Sequence, residues 1–382
     1  SEKILSGSET KPAESFTTKE TSAKQLCKNI KETGNCSIID IDDTYIAFGS
    51  KNEHCILEWS EIEQIKDIVQ DKEISKTGYN FKNLYKKLWQ QDICMAGEIF
   101  DIELMHYILN PERTHKEEYL YKSYLNLDIE NIGSNEDATC NDCPPAMEMD
   151  LFSFAQQEEP LPDKMTESQK QKIGIRCNAM LHLKDKILSE LEKAGQNSLY
   201  TQIEAPLIEV LANMEYTGVK IDTDHLHSYS RDLTKELNLI EQQAYQLAQE
   251  SINLSSPKQV GILLYEKLKL NPKVKKSAKG SYPTDEETLT ALMDTHPIVS
   301  KILEYRGIKK LISTYTDALP ELINPKTGKI HTTFNQALTA TGRLSSTNPN
   351  LQNIPVRTQK GREIRKSFIP STPDGYIVSA DY

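Results

Sequence analysis

Apolar positions along this chain change their period several times, and each change predicts an element or a border. Residues 1–24 are rich in Ser, Thr, Glu and Lys with almost no apolar anchor. That composition predicts a disordered tail or linker over 1–25. An amphipathic helix is expected from about Ala23 to Ile30, followed by a strand, SIIDI. TYIAFG and HCILEW are further β-rich runs, the pattern of a hairpin or meander. Helical periods follow over 60–70, 80–90 and FDIELMHYIL, so residues 26–195 read as an α/β domain. Within it, 130–163 carries nine acidic residues, no Lys or Arg, and four prolines. This predicts an exposed acidic loop. A helix from about Thr166 to Ala194 is expected to end at Gly195.

From Thr201 onward the helical signal dominates. IEAPLIEVLANMEYTG ends at Gly218, VKID reads as a short strand, and RDLTKELNLIEQQAYQLAQE is a long amphipathic helix. Ser256-Pro257-Lys258-Gln259 has the form of a capping box with Pro at the first helical position. A further long helical region starts near His296. KIHTTFNQALT and YIVSAD are β-rich, and the second is expected to be a buried strand delivering Asp381.

Composition narrows the class. Hydrophobic content of 37% with 26% charged residues suits a globular protein of two or three domains. No apolar run of about 18 residues exists, so a membrane-spanning helix is excluded. Seven scattered cysteines read as reduced thiols, which predicts a cytoplasmic protein. Cys140 and Cys143 form a lone CxxC without a second ligand pair, so a zinc site is not expected. The net charge of −11 hides a division: residues 251–382 hold 19 Lys+Arg against 11 Asp+Glu. A polyanion responds to the local field, so nucleic acid is expected at the C-terminal third.

TATGRLSSTNPNLQNIPVR, Thr339 to Arg357, has no hydrophobic period. Its arginines, amides and hydroxyls suit a surface that hydrogen-bonds an extended polar ligand. This segment, together with YIVSADY, NLSSPKQVGILLYEKL and ILEYRGIKKLISTYTDALPELINPKTGKIHT, closely resembles family-A DNA polymerases of the bacterial DNA polymerase I type. The resemblance implies a multidomain α/β plus α+β protein. A ribonuclease-H-like 3′-5′ exonuclease-type domain (26–195) would precede a polymerase domain (196–382), with a helical thumb at about 222–300 and a partial palm at 196–221 and 301–382. It implies template-directed DNA synthesis in replication and repair, with primer-template DNA and dNTP as partners and two Mg²⁺ ions; a monomer is expected. Arg343 would enter the minor groove near the primer end, with Asn350, Gln352 and Asn353 beside it and Arg357 on phosphate. Ser255, Ser256, Lys258, Arg306 and Lys310 would grip the backbone. Asp381, with the Tyr382 carbonyl, would be the metal ligand. The family's fingers and most of its palm have no counterpart here, so these 382 residues are expected to bind primer-template without polymerising alone.

In the first domain the resemblance weakens. Leu84 stands where the family's second exonuclease motif has Asp, and Lys172 and Arg176 fall where the third has Tyr and Asp. Asp40 and Asp42 are the remaining exonuclease candidates, and a turn is the more ordinary role for such a pair. A catalytically dead exonuclease domain is therefore expected. Two rivals stand beside this reading: an active 3′-5′ exonuclease, and a duplex-binding fragment only.

Overall fold

The structure, a computed structural model, describes residues 16–129, 165–277 and 280–380. The expected acidic loop 130–163, Asp381 and Tyr382 lie outside the described residues. Two compact units form, Ser1–Met214 with Asn335–Leu344, and Glu215–Phe334 with Ser345–Tyr382.

The first unit is built on a mixed six-stranded sheet, ordered β1-β4-β3-β2-β5-β6. Its strands are β1 (Lys19–Glu20), β2 (Asn35–Asp40), β3 (Tyr45–Gly49), β4 (Glu53–Glu58), β5 (Ser75–Gly78) and β6 (Ile99–Asp101). β2, β3 and β4 form the expected antiparallel meander, with Ile38 opposite Phe48. β5 and β6 continue it in parallel from β2. The helix Phe81–Trp89 crosses over between β5 and β6, which makes their parallel pairing reachable. The 27-residue helix Glu167–Lys193 packs across the sheet. Thr166 and Gln169 cap its start reciprocally, and Gly195 follows at φ 69°, where only glycine turns without strain. Leu26, Ile30, Phe48, Phe81, Leu88, Tyr121 and Tyr200 fill the core.

Residues 16–25 depart from the expected tail. Phe16 is buried against the His182 ring, Asn178 Nδ2 donates to its carbonyl, and β1 joins the sheet beside β4. One aromatic side chain suffices to anchor this otherwise polar stretch. The units also divide elsewhere than at 195/196. Ile208 and Ala212, on the helix Ala205–Thr217, belong to the first core.

In the second unit the helix Thr223–Ala248 packs along the helix Pro297–Leu311. Leu226, Leu233, Leu237 and Ile240 meet the buried face of Ile298, Ile302 and Ile308. β7 (Lys220–Ile221) pairs antiparallel with β10 (Phe368–Ile369), and β8 (Thr333–Asn335) pairs with β9 (Ser345–Thr347). The expected buried strand at YIVSAD does not form among the described residues. Tyr376, Ile377 and Val378 are 90%, 59% and 86% exposed, with no strand beside them. β-propensity alone cannot make a strand, because its main-chain groups need a ladder partner.

Candidate nucleic-acid interface

The segment after β8 carries most of the polar side chains singled out above. In the second unit its backbone is fixed by a buried hydroxyl pair, Thr332 Oγ1 and Ser346 Oγ, 2.8 Å apart. Thr332 also lies within hydrogen-bond reach of the carbonyls of Thr347 (3.0 Å) and Pro349 (2.8 Å), and the Leu351 amide donates to Ser346 Oγ at 3.0 Å. The Asn348–Pro349 peptide is cis. Asn350 Oδ1 accepts from the amides of Gln352 and Asn353, and Tyr315 donates its hydroxyl to the Asn353 carbonyl. Ile354 then drops into the core. The outcome is an anchored main chain that leaves Asn350, Gln352, Asn353 and Arg357 exposed. Buried polar atoms hold the loop, and the outward polar atoms face water, where a ligand can meet them.

Arg343 lies in the stretch Asn335–Leu344, which belongs to the first unit. It is exposed, and its main-chain oxygen accepts from Thr339 Oγ1 at 2.7 Å. Gly342, at φ 74°, makes the turn between them.

Beyond this segment, Gly361 lets the helix Gln359–Arg365 approach closely, because a Cβ there would collide with the Pro355 carbonyl. Lys360 pairs with Glu236 and Lys366 with Glu363. Arg362 and Arg365 are exposed. The motif-based reading missed both arginines, and their clustering on one short helix was the available signal.

The Ser255–Lys258 turn behaves partly as expected. Ser256 caps the helix Pro257–Ile262 by accepting from the Gln259 amide, while the Gln259 side chain accepts from Asn253 rather than closing a box on Ser256. Ser255, Lys258 and Lys310 are exposed. Arg306 is turned inward: Nε donates to the Leu254 carbonyl at 3.1 Å and Nη1 to that of Thr284. Its Nη2 is buried without a hydrogen-bond partner, and desolvation lowers its pKa. Arg306, expected to grip the DNA backbone with Lys310, thus turns its guanidinium inward while Lys310 stays exposed. The i,i+4 spacing sets the helix face, but two main-chain acceptors draw the guanidinium back.

The exonuclease candidates sit in the first unit and are held by other groups. Lys87 Nζ lies 2.9 Å from Asp40 Oδ1 and 3.0 Å from Asp43 Oδ1. Burial pushes the Asp40 carboxyl above its usual range, against the opposing pull of Lys87. Asp42 Oδ1 accepts from the amides of Thr44 (2.7 Å) and Tyr45 (2.8 Å), so it closes a turn. Leu84 is buried. Arg176 grips Glu117 through two nitrogens, at 3.1 and 2.7 Å. Asp42, Glu117, Tyr121, Lys172 and Arg176 line a cleft of about 580 Å³. No group of three or more His, Cys, Asp or Glu able to hold a metal occurs among the described residues.

Residues 223–382 match the model of DNA polymerase family A. The chain is 42% identical to DNA polymerase I of Synechocystis sp. over 75% of its own length and 28% of that protein's. It is 37% identical to DNA polymerase I of Geobacillus stearothermophilus, covering 82% of this chain and 33% of the relative. The chain therefore spans about a third or less of these relatives. Among solved structures it resembles the POL domain of Pol1 from M. smegmatis, in complex with DNA primer-template and dNTP. That match has a TM-score of 0.74 at 26% identity and covers 92% of this chain and 58% of that one. No helix among the described residues is long and apolar enough to cross a membrane.

Proposed function

Because the chain belongs to DNA polymerase family A, we propose that it supplies the primer-template grip of a DNA-directed DNA polymerase acting in replication and repair. The observation that carries this reading is the segment Thr339–Arg357, with an internally bonded backbone and exposed Arg343, Asn350, Gln352, Asn353 and Arg357. Minor-groove acceptors are nearly the same in every base pair, so donors aimed there sense pairing geometry without reading sequence. That is what a copying enzyme needs. In the proposed polymerase domain (thumb about 222–300, palm 196–221 and 301–382), Ser255, Ser256, Lys258 and Lys310 would track phosphates. Arg306 would act from behind that turn, as a charge bonded to Leu254.

In the whole polymerase, divalent ions, taken here as Mg²⁺, would align the primer 3′-hydroxyl and a dNTP. Asp381 and the Tyr382 carbonyl would supply ligands, and one carboxylate does not make a two-ion site. No catalytic step is assigned to these residues alone. The first unit is read as a ribonuclease-H-like 3′-5′ exonuclease-type domain without nuclease activity. Its mixed sheet supports the fold, and Lys87 on Asp40, the Asp42 turn and the Arg176–Glu117 pair support the loss of activity. The duplex-binding-fragment reading keeps a place for these residues, because they span so small a share of the relatives.

Fluorescence anisotropy with a labelled primer-template tests the site. Arg343→Ala should weaken binding by about 1–3 kcal/mol, at least fivefold. Unchanged affinity in that variant and in Asn353→Ala would refute the assignment.

A further inference from the structure

Tyr107 is buried on the helix Ile102–Leu109, yet its hydroxyl donates to the Thr339 carbonyl at 2.5 Å, across 232 positions of sequence. Thr339 then passes its own hydroxyl to the Arg343 carbonyl at 2.7 Å, closing the loop around Gly342. Just upstream, Gln336 Nε2 donates to the Glu204 carbonyl at 2.9 Å and to its carboxylate at 2.5 Å, while Ala337 packs against the first core. The Tyr107 ring is itself fixed, edge-on to His115 at 5.6 Å. All these groups lie in the first unit.

We propose that Tyr107 is a positioning residue for Arg343: the α/β unit holds ready the loop that presents this guanidinium to the primer end. The inference rests on reading Arg343 as a DNA contact. Tyr107 is buried, so its influence would run through the loop that its hydroxyl holds. A tethered loop has less freedom to lose on binding than a free one, and preorganisation of this kind strengthens an exposed arginine's contact. It also gives the first unit a task that needs neither metal nor nuclease chemistry.

The test is a double-mutant cycle on the whole 382-residue chain, read by anisotropy with a matched primer-template. Tyr107→Phe keeps the ring and removes only the hydroxyl. It should weaken binding about fivefold, the worth of one hydrogen bond. In the Arg343→Ala background the same change should have no further effect, because its route to DNA is gone. Thr339→Val, which cuts the second link from the loop side, should couple to Arg343 in the same way and stands in if Tyr107→Phe fails to fold. Wild-type affinity in both Tyr107→Phe and Thr339→Val, or full additivity with Arg343→Ala, overturns the positioning role and leaves the interface intact. An Arg343→Ala variant that binds like wild type overturns the interface reading itself, and the inference with it.

Discussion

Nδ1 of His106 lies 2.8 Å from Nδ1 of His115, so one ring must donate and the other accept. Burial, then the neighbouring His115 and Arg113 charges, pushes the His106 pKa down to about 4, and burial lowers that of His115. At neutral pH both rings are uncharged in the fold, whereas histidines of the unfolded chain take up protons near pH 6.5. The contribution of His106 is therefore full above about pH 6.5 and is lost as pH falls toward 4, and that of His115 changes in the same direction. After allowance for solvent at the rim, the loss should be on the order of 1 kcal/mol. Thermal melts between pH 7 and 4.5 should show a decline that a His106→Gln, His115→Gln double variant flattens; parallel profiles would contradict the assignment. None of this was legible in the sequence. Nine positions separate the two histidines, and only the turn after the Ile102–Leu109 helix brings them ring to ring. Lys87 is similar, since nothing in KNLYKKL announces that one lysine will neutralise Asp40.

At the scale of elements, periodicity served well where the element carries its own hydrogen bonds. The helix Glu167–Lys193 falls close to its apolar pattern, Thr223–Ala248 begins about two turns before the expected start at Arg231, and Ser256 caps where the SSPKQ signal placed it. Strands depend on partners, and YIVSAD has none among the described residues, so its β-propensity misled. Gly361 offers an element-level prediction. Alanine there drives a methyl into Pro355 and prises the Gln359–Arg365 helix from the loop bearing Arg357. Overpacking of this sort should destabilise the second unit by about 1–3 kcal/mol and weaken primer-template binding with it. Chemical denaturation of Gly361→Ala would show this as a lower midpoint at unchanged slope. A midpoint equal to wild type would mean that the helix yields freely.

Taken whole, the molecule divides its charge. Residues 251–382 carry the basic excess, although the complete chain stands at −11. A polyanion held through phosphates should bind there with affinity that falls steeply as salt rises. The polar segment proposed as the interface stood out in the sequence because its residues are local: arginines and amides within twenty residues, with no core period to compete. Its support was not readable, since Tyr107, Thr332 and Tyr315 reach that loop only through the fold. The most direct measurement is photocrosslinking from the 3′-terminal nucleotide of a primer annealed to its template, with the attached peptide identified by mass spectrometry. Crosslinks within 339–357, lost on addition of unlabelled duplex, are predicted. Specific crosslinks confined to the first unit's Asp42–Arg176 cleft, with none in that segment, would contradict the account.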